Sequence, residues 1–368
     1  MNMNKNTYPW FQQAWSELPL DHMPHATLIH GQAGIGKFNF SLHIAKALLC
    51  ESSLKNKPCC ECEACHWFDT GNHPDFVGLV PEDRFHLLPH EVLEGEVGDE
   101  KPKKTKKKLE DDSEKVDKKA SSFIKVEQIR DALEGINTAP HRGKRRIVLI
   151  SPIETLQAIS ANTLLKTLEE PPESTLFILV SDRLDRILPT IRSRCRLLGL
   201  NRPNKEVSID WLTNQLVNEG IKFKHGEVEE VLGESGGAVL DARRRLFALD
   251  DAAELYHQVT SDLLNGLEKG GQIDWLTISE LIHKAPMPIL LISFERWISD
   301  VLSQQQAGVI RYYPAKSSSI VKCADKANSN KLSEFWQLLL DARRHELHAL
   351  ANRVQIEALL IRYQELFK

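Results

Sequence analysis

Apolar and polar residues follow two different patterns along the chain, and the change comes near residue 200. Over residues 26–200, apolar runs of strand length alternate with stretches whose apolar residues recur at helical spacing. This alternation is typical of an α/β domain built on a largely parallel sheet. The predicted strands are Ala26–His30, Asp75–Val80, Arg146–Ile150, Thr175–Val180 and Arg196–Leu200. The predicted helices between them include Asn39–Cys50, Lys125–Asn137 and Ala158–Glu169, the last of which ends before Pro171 and Pro172.

From about Arg202 onward the strand-like runs cease. Two short helical stretches, Glu206–Gly220 and Gly226–Leu249, predict a small helical domain over residues 202–249. Over residues 250–368, apolar residues recur at steps of three and four, which predicts an all-α domain. The clearest run is Leu332, Phe335, Trp336, Leu339, Leu340, Leu347, Leu350, Ala351, Val354, Leu359, Leu360 and Tyr363. With an α/β domain over residues 1–201, the pattern predicts three parts.

Residues 94–122 interrupt the α/β domain with a charged stretch that holds almost no apolar side chains. A lysine-rich block over residues 101–108 is followed by an acidic block over residues 110–112. Such a segment cannot bury enough apolar surface to offset the entropy of ordering it, so we predict a disordered insertion. An arm that binds DNA or a partner is the alternative, although the acidic block would oppose phosphate binding.

Composition and charge narrow the class of protein. The chain has 368 residues, of which 42% are hydrophobic and 27% charged, as in ordinary globular proteins. No apolar run approaches the length of a membrane span, and the polar N-terminus does not resemble a signal peptide, so we expect a cytoplasmic protein. The formal net charge of −4 gives no global attraction to nucleic acid. Any contact with DNA must therefore come from a local patch or through a partner.

The loop between the first predicted strand and the first predicted helix carries most of a phosphate-binding motif. Gly31, Gly36 and Lys37 match the pattern Gly-x4-Gly-Lys-Ser/Thr, and Gly34 lies between them. In such loops backbone N–H groups close on phosphate oxygens, and the lysine reaches the outer phosphates. Phe38 stands where a hydroxyl would bind Mg²⁺, and a phenyl ring offers the metal no lone pair. We predict a vestigial loop that binds nucleotide weakly or not at all.

A second part of an ATP-hydrolysing site is missing after the third predicted strand. P-loop ATPases place acidic residues there to hold the metal and polarise water, whereas this chain has Ser151 and Pro152. Glu154 follows two residues too late and is expected to lie on the wrong face. The alternative, a working ATPase with an unusual alignment, needs both replacements to be tolerated.

Five of the seven cysteines fall between Cys50 and Cys65. Cys59, Cys62 and Cys65 keep two-residue spacing, and Cys50 precedes them at the end of a predicted helix. Four thiolates within one short segment indicate a structural zinc site in which all four coordination positions are filled. Cys60 would then be a neighbouring thiol that is not a ligand. A set of reduced thiols in a loop is the alternative.

Two further motifs carry a family resemblance. The stretch Leu164-Leu-Lys-Thr-Leu-Glu-Glu-Pro-Pro172 and the triplet Ser193-Arg194-Cys195 resemble those of bacterial DNA polymerase III clamp-loader subunits. The missing hydrolytic residues and the four cysteines resemble the delta-prime type more than the gamma/tau ATPases. The resemblance covers the chain except for the insertion at 94–122.

The resemblance implies an AAA+ module, made of a P-loop α/β domain and a helical lid, followed by a helical collar domain. In that family the collar joins five subunits into a ring with gamma/tau and delta subunits, and the ring loads the sliding clamp at primed DNA. The delta-prime type is a rigid stator that hydrolyses nothing, within a DNA-directed DNA polymerase holoenzyme. Arg194 matches an arginine finger that reaches the ATP site of the adjacent gamma/tau subunit; a surface ion pair is the alternative.

Two other functions stay open from the sequence. The chain could be an active AAA+ ATPase of the gamma/tau type, or a zinc-dependent regulator that binds nucleic acid. Glu169 and Glu170 leave a further question, because acidic side chains at a helix C-terminus oppose the helix dipole. We expect basic partners for them, with screening by solvent as an equal alternative.

Overall fold

The computed structural model describes residues 7–53, 57–90, 121–136, 138–142, 145–247, 251–344 and 352–368. The chain divides into two compact units, Met1–Arg202 and Pro203–Lys368. Most of the predicted insertion, residues 94–120, lies outside the described residues.

The first unit is an α/β domain with one parallel sheet. Its strands are β1 (Ala26–His30), β2 (Phe76–Leu79), β3 (Arg146–Ile150), β4 (Thr175–Ser181) and β5 (Arg196–Gly199). They pair in the order β2-β3-β4-β1-β5, and every pair is parallel. Its helices are α1 (Gln12–Ser16), α2 (Lys37–Leu49), α3 (Glu63–Asp69), α4 (Val126–Gly135), α5 (Ala158–Glu169) and α6 (Pro189–Arg192). The predicted α/β class is confirmed.

Both faces of the three central strands, β3, β4 and β1, are covered, as is typical of an all-parallel sheet, whereas the edge strand β5 is largely exposed. Alternate residues of β3 point to opposite faces. Ile147 and Leu149 join the cluster that contains residues of α2, whereas Val148 and Ile150 join the cluster that contains residues of α4 and α5. The continuous apolar runs found in the sequence are therefore the central strands of a covered sheet.

The second unit contains helices and no strands among its described residues. Its helices are α7 (Lys205–Asn218), α8 (Glu227–Glu234), α9 (Val239–Leu246), α10 (Asp251–Leu267), α11 (Trp275–Ile282), α12 (Met287–Ala307), α13 (Ser317–Lys326), α14 (Ser329–Arg344) and α15 (Asn352–Glu365). At the centre of its core, Trp297 Nε1 donates to Tyr363 Oη at 2.9 Å. That hydroxyl donates in turn to the Leu267 carbonyl at 2.7 Å. The all-α prediction is confirmed.

The helical periodicity located most of this core correctly. Leu332, Phe335, Leu339, Leu359, Leu360 and Tyr363 are buried. Val354 is 65% exposed, so it belongs to the outer face of α15. Leu347, Leu350 and Ala351 lie outside the described residues. Among the described helices, none is long and apolar enough to cross a membrane.

Candidate functional site

The phosphate loop has the backbone geometry that the sequence predicts. It joins the end of β1 to α2, which begins at Lys37. Gly36 has a φ of 97°, in the left-handed region that favours glycine. At Gly31, an added Cβ would lie 2.4 Å from the Leu200 carbonyl oxygen, so a side chain there would collide with backbone. The motif glycines are therefore required by the local fold.

The loop lysine is already paired within the chain. Lys37 is buried, and its Nζ lies 2.5 Å from Asp182 Oδ1 and 2.6 Å from the Gln32 carbonyl oxygen. Asp182 follows β4, the neighbour of β1 in the sheet. A phosphate would have to compete with this carboxylate for the ammonium group.

The N-terminal segment lies against the same loop. The Tyr8 ring is so close to Gly36 that a Cβ added to this glycine would lie 2.2 Å from Tyr8 Cε2. Asn39 Nδ2 donates to Tyr8 Oη at 3.1 Å, and Trp10 Nε1 donates to the Ile35 carbonyl at 2.9 Å. Tyr8 and Trp10 stack with ring centroids 4.9 Å apart. An aromatic pair thus packs where the loop meets the helix.

The acidic side chain that follows β3, that of Glu154, is engaged by donors of the chain itself. Ser151 is buried, and its N–H donates to the Leu79 carbonyl. Glu154 turns toward the end of β4, where Oε1 accepts from Ser181 Oγ at 2.8 Å and from the N–H groups of Asp182 and Arg183 at 2.6 Å each. This carboxylate therefore fixes the loop that carries Asp182.

The four predicted cysteines come together. The sulfur atoms of Cys50, Cys59, Cys62 and Cys65 all lie within 4.8 Å of one another. The Cys50–Cys59 sulfur distance is 3.5 Å, and the Cys50–Cys62 and Cys59–Cys65 distances are 4.0 Å. Tetrahedral sulfur ligands about 2.3 Å from Zn²⁺ are about 3.8 Å apart, so this group fits such an ion. Cys60 is exposed and lies outside the group.

Local hydrogen bonds favour thiolate sulfur in this cluster. The N–H of Cys59 donates to Cys50 Sγ, and the N–H of Cys62 donates to Cys59 Sγ, each at 3.4 Å. Burial raises the pKa of Cys50 and Cys65. Burial also acts to raise the pKa of Cys59, but backbone N–H groups of Glu61 and Cys62 outweigh it and lower that pKa to about 6. A divalent cation would offset the charge of the buried thiolates.

The segment that carries the four cysteines, residues 50–65, is connected to residues beside the sheet by contacts that the sequence did not predict. Arg142 pairs with Glu51 at 3.1 Å and with Glu63, and its guanidinium carbon lies 4.3 Å from the Trp67 ring centroid. The N–H of Arg142 donates to Asp75, which is fully buried before β2. Strand β2 begins one residue later than predicted, and the Asp75 carboxylate before it accepts from the N–H groups of His141 and Arg142. The contacts join residues far apart in sequence, so spacing gave no signal for them.

Arg194 lies between α6 and β5, and it is 34% exposed. Its Nη1 donates to the Thr190 carbonyl at 2.9 Å and to Ser193 Oγ at 3.4 Å. Its Nη2 forms an ion pair with Glu169, the last residue of α5. The two motifs that carry the family resemblance therefore meet at this pair, and Glu169 has the basic partner that its position led us to expect.

Comparison with known proteins adds independent findings. A family model described as DNA polymerase III, delta subunit matches residues 5–204. The DNA polymerase III subunit delta' of Pseudomonas aeruginosa is 31% identical over 98% of both chains. That of Escherichia coli K12 is 28% identical over 57% of this chain and 53% of its own length. The tau/gamma subunit of Haemophilus influenzae is 24% identical over 93% of this chain and 46% of its own length.

Among solved structures, a DNA polymerase III gamma subunit-related protein from Thermotoga maritima covers 95% of this chain and 97% of its own, with 14% identity and a TM-score of 0.41. A likeness this loose carries no inference.

Proposed function

Because this chain belongs to the DNA polymerase III delta' family of clamp-loader subunits, we propose that it is the non-hydrolysing stator of such a loader. It would assemble with gamma/tau ATPase subunits and a delta subunit, and the complex would open the sliding clamp and place it on primed DNA in the cytoplasm. The chain would supply Arg194 to the ATP site of a neighbouring ATPase subunit.

The observation that carries the non-hydrolysing role is the state of the phosphate loop. Lys37 is ion-paired with Asp182, and Tyr8 packs on Gly36. The Phe38 side chain offers no oxygen to Mg²⁺, and the one acid that closely follows β3, Glu154, accepts from Ser181, Asp182 and Arg183. Hydrolysis would need at least the metal ligand and the water-activating acid, and restoring one of them would leave the other missing.

Arg194 supports the proposed action in trans. A guanidinium presents several N–H donors in one plane and keeps its charge at all relevant pH values, so it can stabilise the charge that develops on a transferred phosphoryl group. Arg194 is partly exposed, and the contacts that hold it, to Thr190 and Glu169, lie at the surface, so its side chain could reach another chain.

We further propose that Cys50, Cys59, Cys62 and Cys65 hold a structural Zn²⁺. All four positions are filled by sulfur, so the ion would have no open site for water or substrate. The ion would fix the conformation of the segment between α2 and α3. Arg142 pairs with Glu51 and Glu63 in this part of the chain.

The test is the steady-state ATPase activity of the clamp loader reconstituted from this chain and the other subunits of the same organism, with clamp and primed DNA. The isolated chain should show no Mg²⁺-dependent hydrolysis. In the complex, Arg194→Ala should lower DNA-stimulated hydrolysis, and Arg194→Lys should rescue it poorly because an ammonium group lacks the planar set of donors. Trans fingers contribute about 10³–10⁵ in rate at their own site, but other sites with their own fingers would leave a partial loss in the ensemble.

Arg192→Ala is the matched control, since Arg192 is exposed on α6 two residues away. Assembly of each complex is checked by size-exclusion chromatography. Unchanged hydrolysis and clamp loading with Arg194→Ala in a fully assembled complex would return Arg194 to the role of a surface ion pair.

The second candidate function is an active ATPase of the gamma/tau type, which the similarity to the tau/gamma subunit of Haemophilus influenzae favours. It requires measurable Mg²⁺-dependent hydrolysis by the isolated chain that Lys37→Ala abolishes. That result would overturn the stator proposal.

A further inference from the structure

We infer that Glu169 is the positioning residue for Arg194, and this inference rests on the proposed action of Arg194 in trans. The ion pair between them joins the end of α5 to the residues that follow α6. Glu169 would touch neither nucleotide nor metal. Its role would be to hold the guanidinium in one orientation, so that the remaining N–H groups face a neighbouring subunit.

The hydrogen bonds of Arg194 leave donors available for this purpose. A guanidinium has five N–H groups. Nη1 donates to the Thr190 carbonyl and contacts Ser193 Oγ, and Nη2 donates one bond to Glu169. Within the described part of the chain, Nε and the second hydrogen of Nη2 remain for a phosphate. Two acceptors on opposite ends of the guanidinium therefore fix its plane without using all its donors.

The position of Glu169 on its helix makes a purely local role a poor explanation. It is the last residue of α5, where the helix dipole is unfavourable for an acid. Glu170 follows it and is exposed, and no ion pair to Glu170 occurs among the described residues. Of these two adjacent acids, the structure pairs one with Arg194. Glu170 is therefore a matched control for the general effect of removing charge at this helix end.

The exposure of the pair suits a contact between subunits. Arg194 is 34% and Glu169 is 49% exposed, so a second chain can reach both. Exposed pairs contribute little to folding stability, so removing one partner should leave the fold intact. An unrestrained arginine side chain, in contrast, samples many rotamers and has to lose that freedom each time it engages a phosphate.

The test uses the reconstituted clamp loader with clamp and primed DNA, and compares Glu169→Ala, Glu169→Gln, Glu170→Ala, Arg194→Ala and the double variant Glu169→Ala/Arg194→Ala. We expect Glu169→Ala to remove at least half of the activity that Arg194→Ala removes, through kcat and with little change in KM for ATP. Glu169→Gln should restore most of the loss, because its amide oxygen still accepts from Arg194. Glu170→Ala should match the wild type.

The double variant decides whether Glu169 acts through Arg194. If it does, Glu169→Ala causes no further loss in the Arg194→Ala background. Equal losses in both backgrounds, no loss in Glu169→Ala, or faster hydrolysis in Glu169→Ala would each overturn the inference. The last result would mean that Glu169 restrains the arginine instead of orienting it. If Arg194→Ala itself has no effect, the finger proposal fails first, and the two failures are thereby distinguished.

Discussion

At the residue scale, the pairing of Lys37 with Asp182 makes a prediction about nucleotide binding. In Asp182→Asn the ammonium group loses its ionic partner and keeps its place in the loop. We expect affinity for Mg²⁺-free ATP to rise about tenfold, since a charged hydrogen bond is worth about 1.5–3 kcal/mol. The measurement is isothermal titration calorimetry, with thermal melting to verify the fold.

The control for that prediction is the double variant Lys37→Ala/Asp182→Asn, which should lose the gain. Tyr8→Ala tests the aromatic contact in the same way, because it removes the ring from Gly36 and leaves the ion pair in place. Tight ATP binding by the wild-type chain would show that the closed loop does not exclude the nucleotide.

His43 makes a second prediction at this scale. Its ring packs against Trp15 with centroids 4.4 Å apart, and burial followed by the charge of Lys46 lowers its pKa to about 4. In the unfolded chain the pKa of histidine is about 6.5. Between these two values the unfolded state binds more protons, so stability is fully present above about pH 6.5 and is lost as the pH falls toward 4.

His43→Gln removes this titration and keeps a polar side chain of similar size. We expect the free energy of unfolding of the wild type to fall by about 2 kcal/mol relative to the variant between about pH 7 and pH 5. Urea unfolding at each pH gives the difference, and acid effects on other groups cancel in it. A constant difference across this range would show that His43 titrates normally in the folded chain.

The sequence identified single residues at these sites but not their pairings. Phe38, the four cysteines and Arg194 stood out because their motifs are local. Lys37 and Asp182 are 145 residues apart, and they meet because β4 pairs with β1 in the sheet. Strand order is decided by the packing of the whole sheet, so this contact, like that of Tyr8 with Gly36, has no signature in residue spacing.

At the element scale, the central strands β1, β3 and β4 were predictable because they are covered on both faces and therefore form continuous apolar runs. All residues of β3 are buried, and its predicted limits agree with the structure. The differences occur at strand ends, where side chains take local roles: the Asp75 carboxylate accepts from the His141 N–H, and Asp75 is not part of β2. The outer face of α15 was missed because Val354 follows the apolar period but is 65% exposed, with no cover from the helices that the structure describes.

The prediction at this scale concerns zinc binding by the segment that carries the four clustered cysteines. The wild-type chain should contain about one zinc per molecule, and Cys62→Ser should lose most of it, since a tetrahedral site needs four strong ligands. The melting temperature should fall as well, because binding of the ion to the folded chain stabilises it. Metal analysis after gel filtration and thermal melting provide the two measurements.

Cys60→Ser is the matched control, because Cys60 is a neighbouring thiol that lies outside the cluster. It should keep both the zinc content and the melting temperature of the wild type. Unchanged zinc in Cys62→Ser, or equal losses in both variants, would contradict the assignment of the four ligands.

At the scale of the whole molecule, the residues to which we assign a function lie in one of the two compact units. The unit Met1–Arg202 contains the closed phosphate loop, the cysteine cluster and Arg194, whereas Pro203–Lys368 contributes a large helical core. The sequence predicted a boundary near residue 202, where the strand pattern stops. Its further division of the helical part into residues 202–249 and 250–368 stays a prediction, and both of these stretches belong to the second compact unit. Under the proposed function, Arg194 would act on nucleotide at a site that another subunit provides, while Lys37 of this chain stays paired with Asp182.

The charged insertion gives the last prediction. The segments on either side of it are held to each other: Glu82 accepts from the Ser121 N–H at 3.0 Å and pairs with Lys125, and the Asp83 N–H donates to the Ser121 carbonyl at 3.4 Å. Ile124 then continues into the sheet domain through its N–H bond to the Thr155 carbonyl. These contacts close the loop independently of what lies between them.

Replacing residues 96–120 with a short Gly-Ser linker should therefore leave the melting temperature and assembly with the other subunits unchanged. Each halving of loop length changes the closure free energy by only about 0.6 kcal/mol, and shortening acts in the stabilising direction. A large fall in melting temperature would show that the segment is part of the folded structure. A deleted chain that melts and assembles normally but loads clamps poorly on primed DNA would instead favour the alternative that the sequence left open, an arm that binds DNA or a partner.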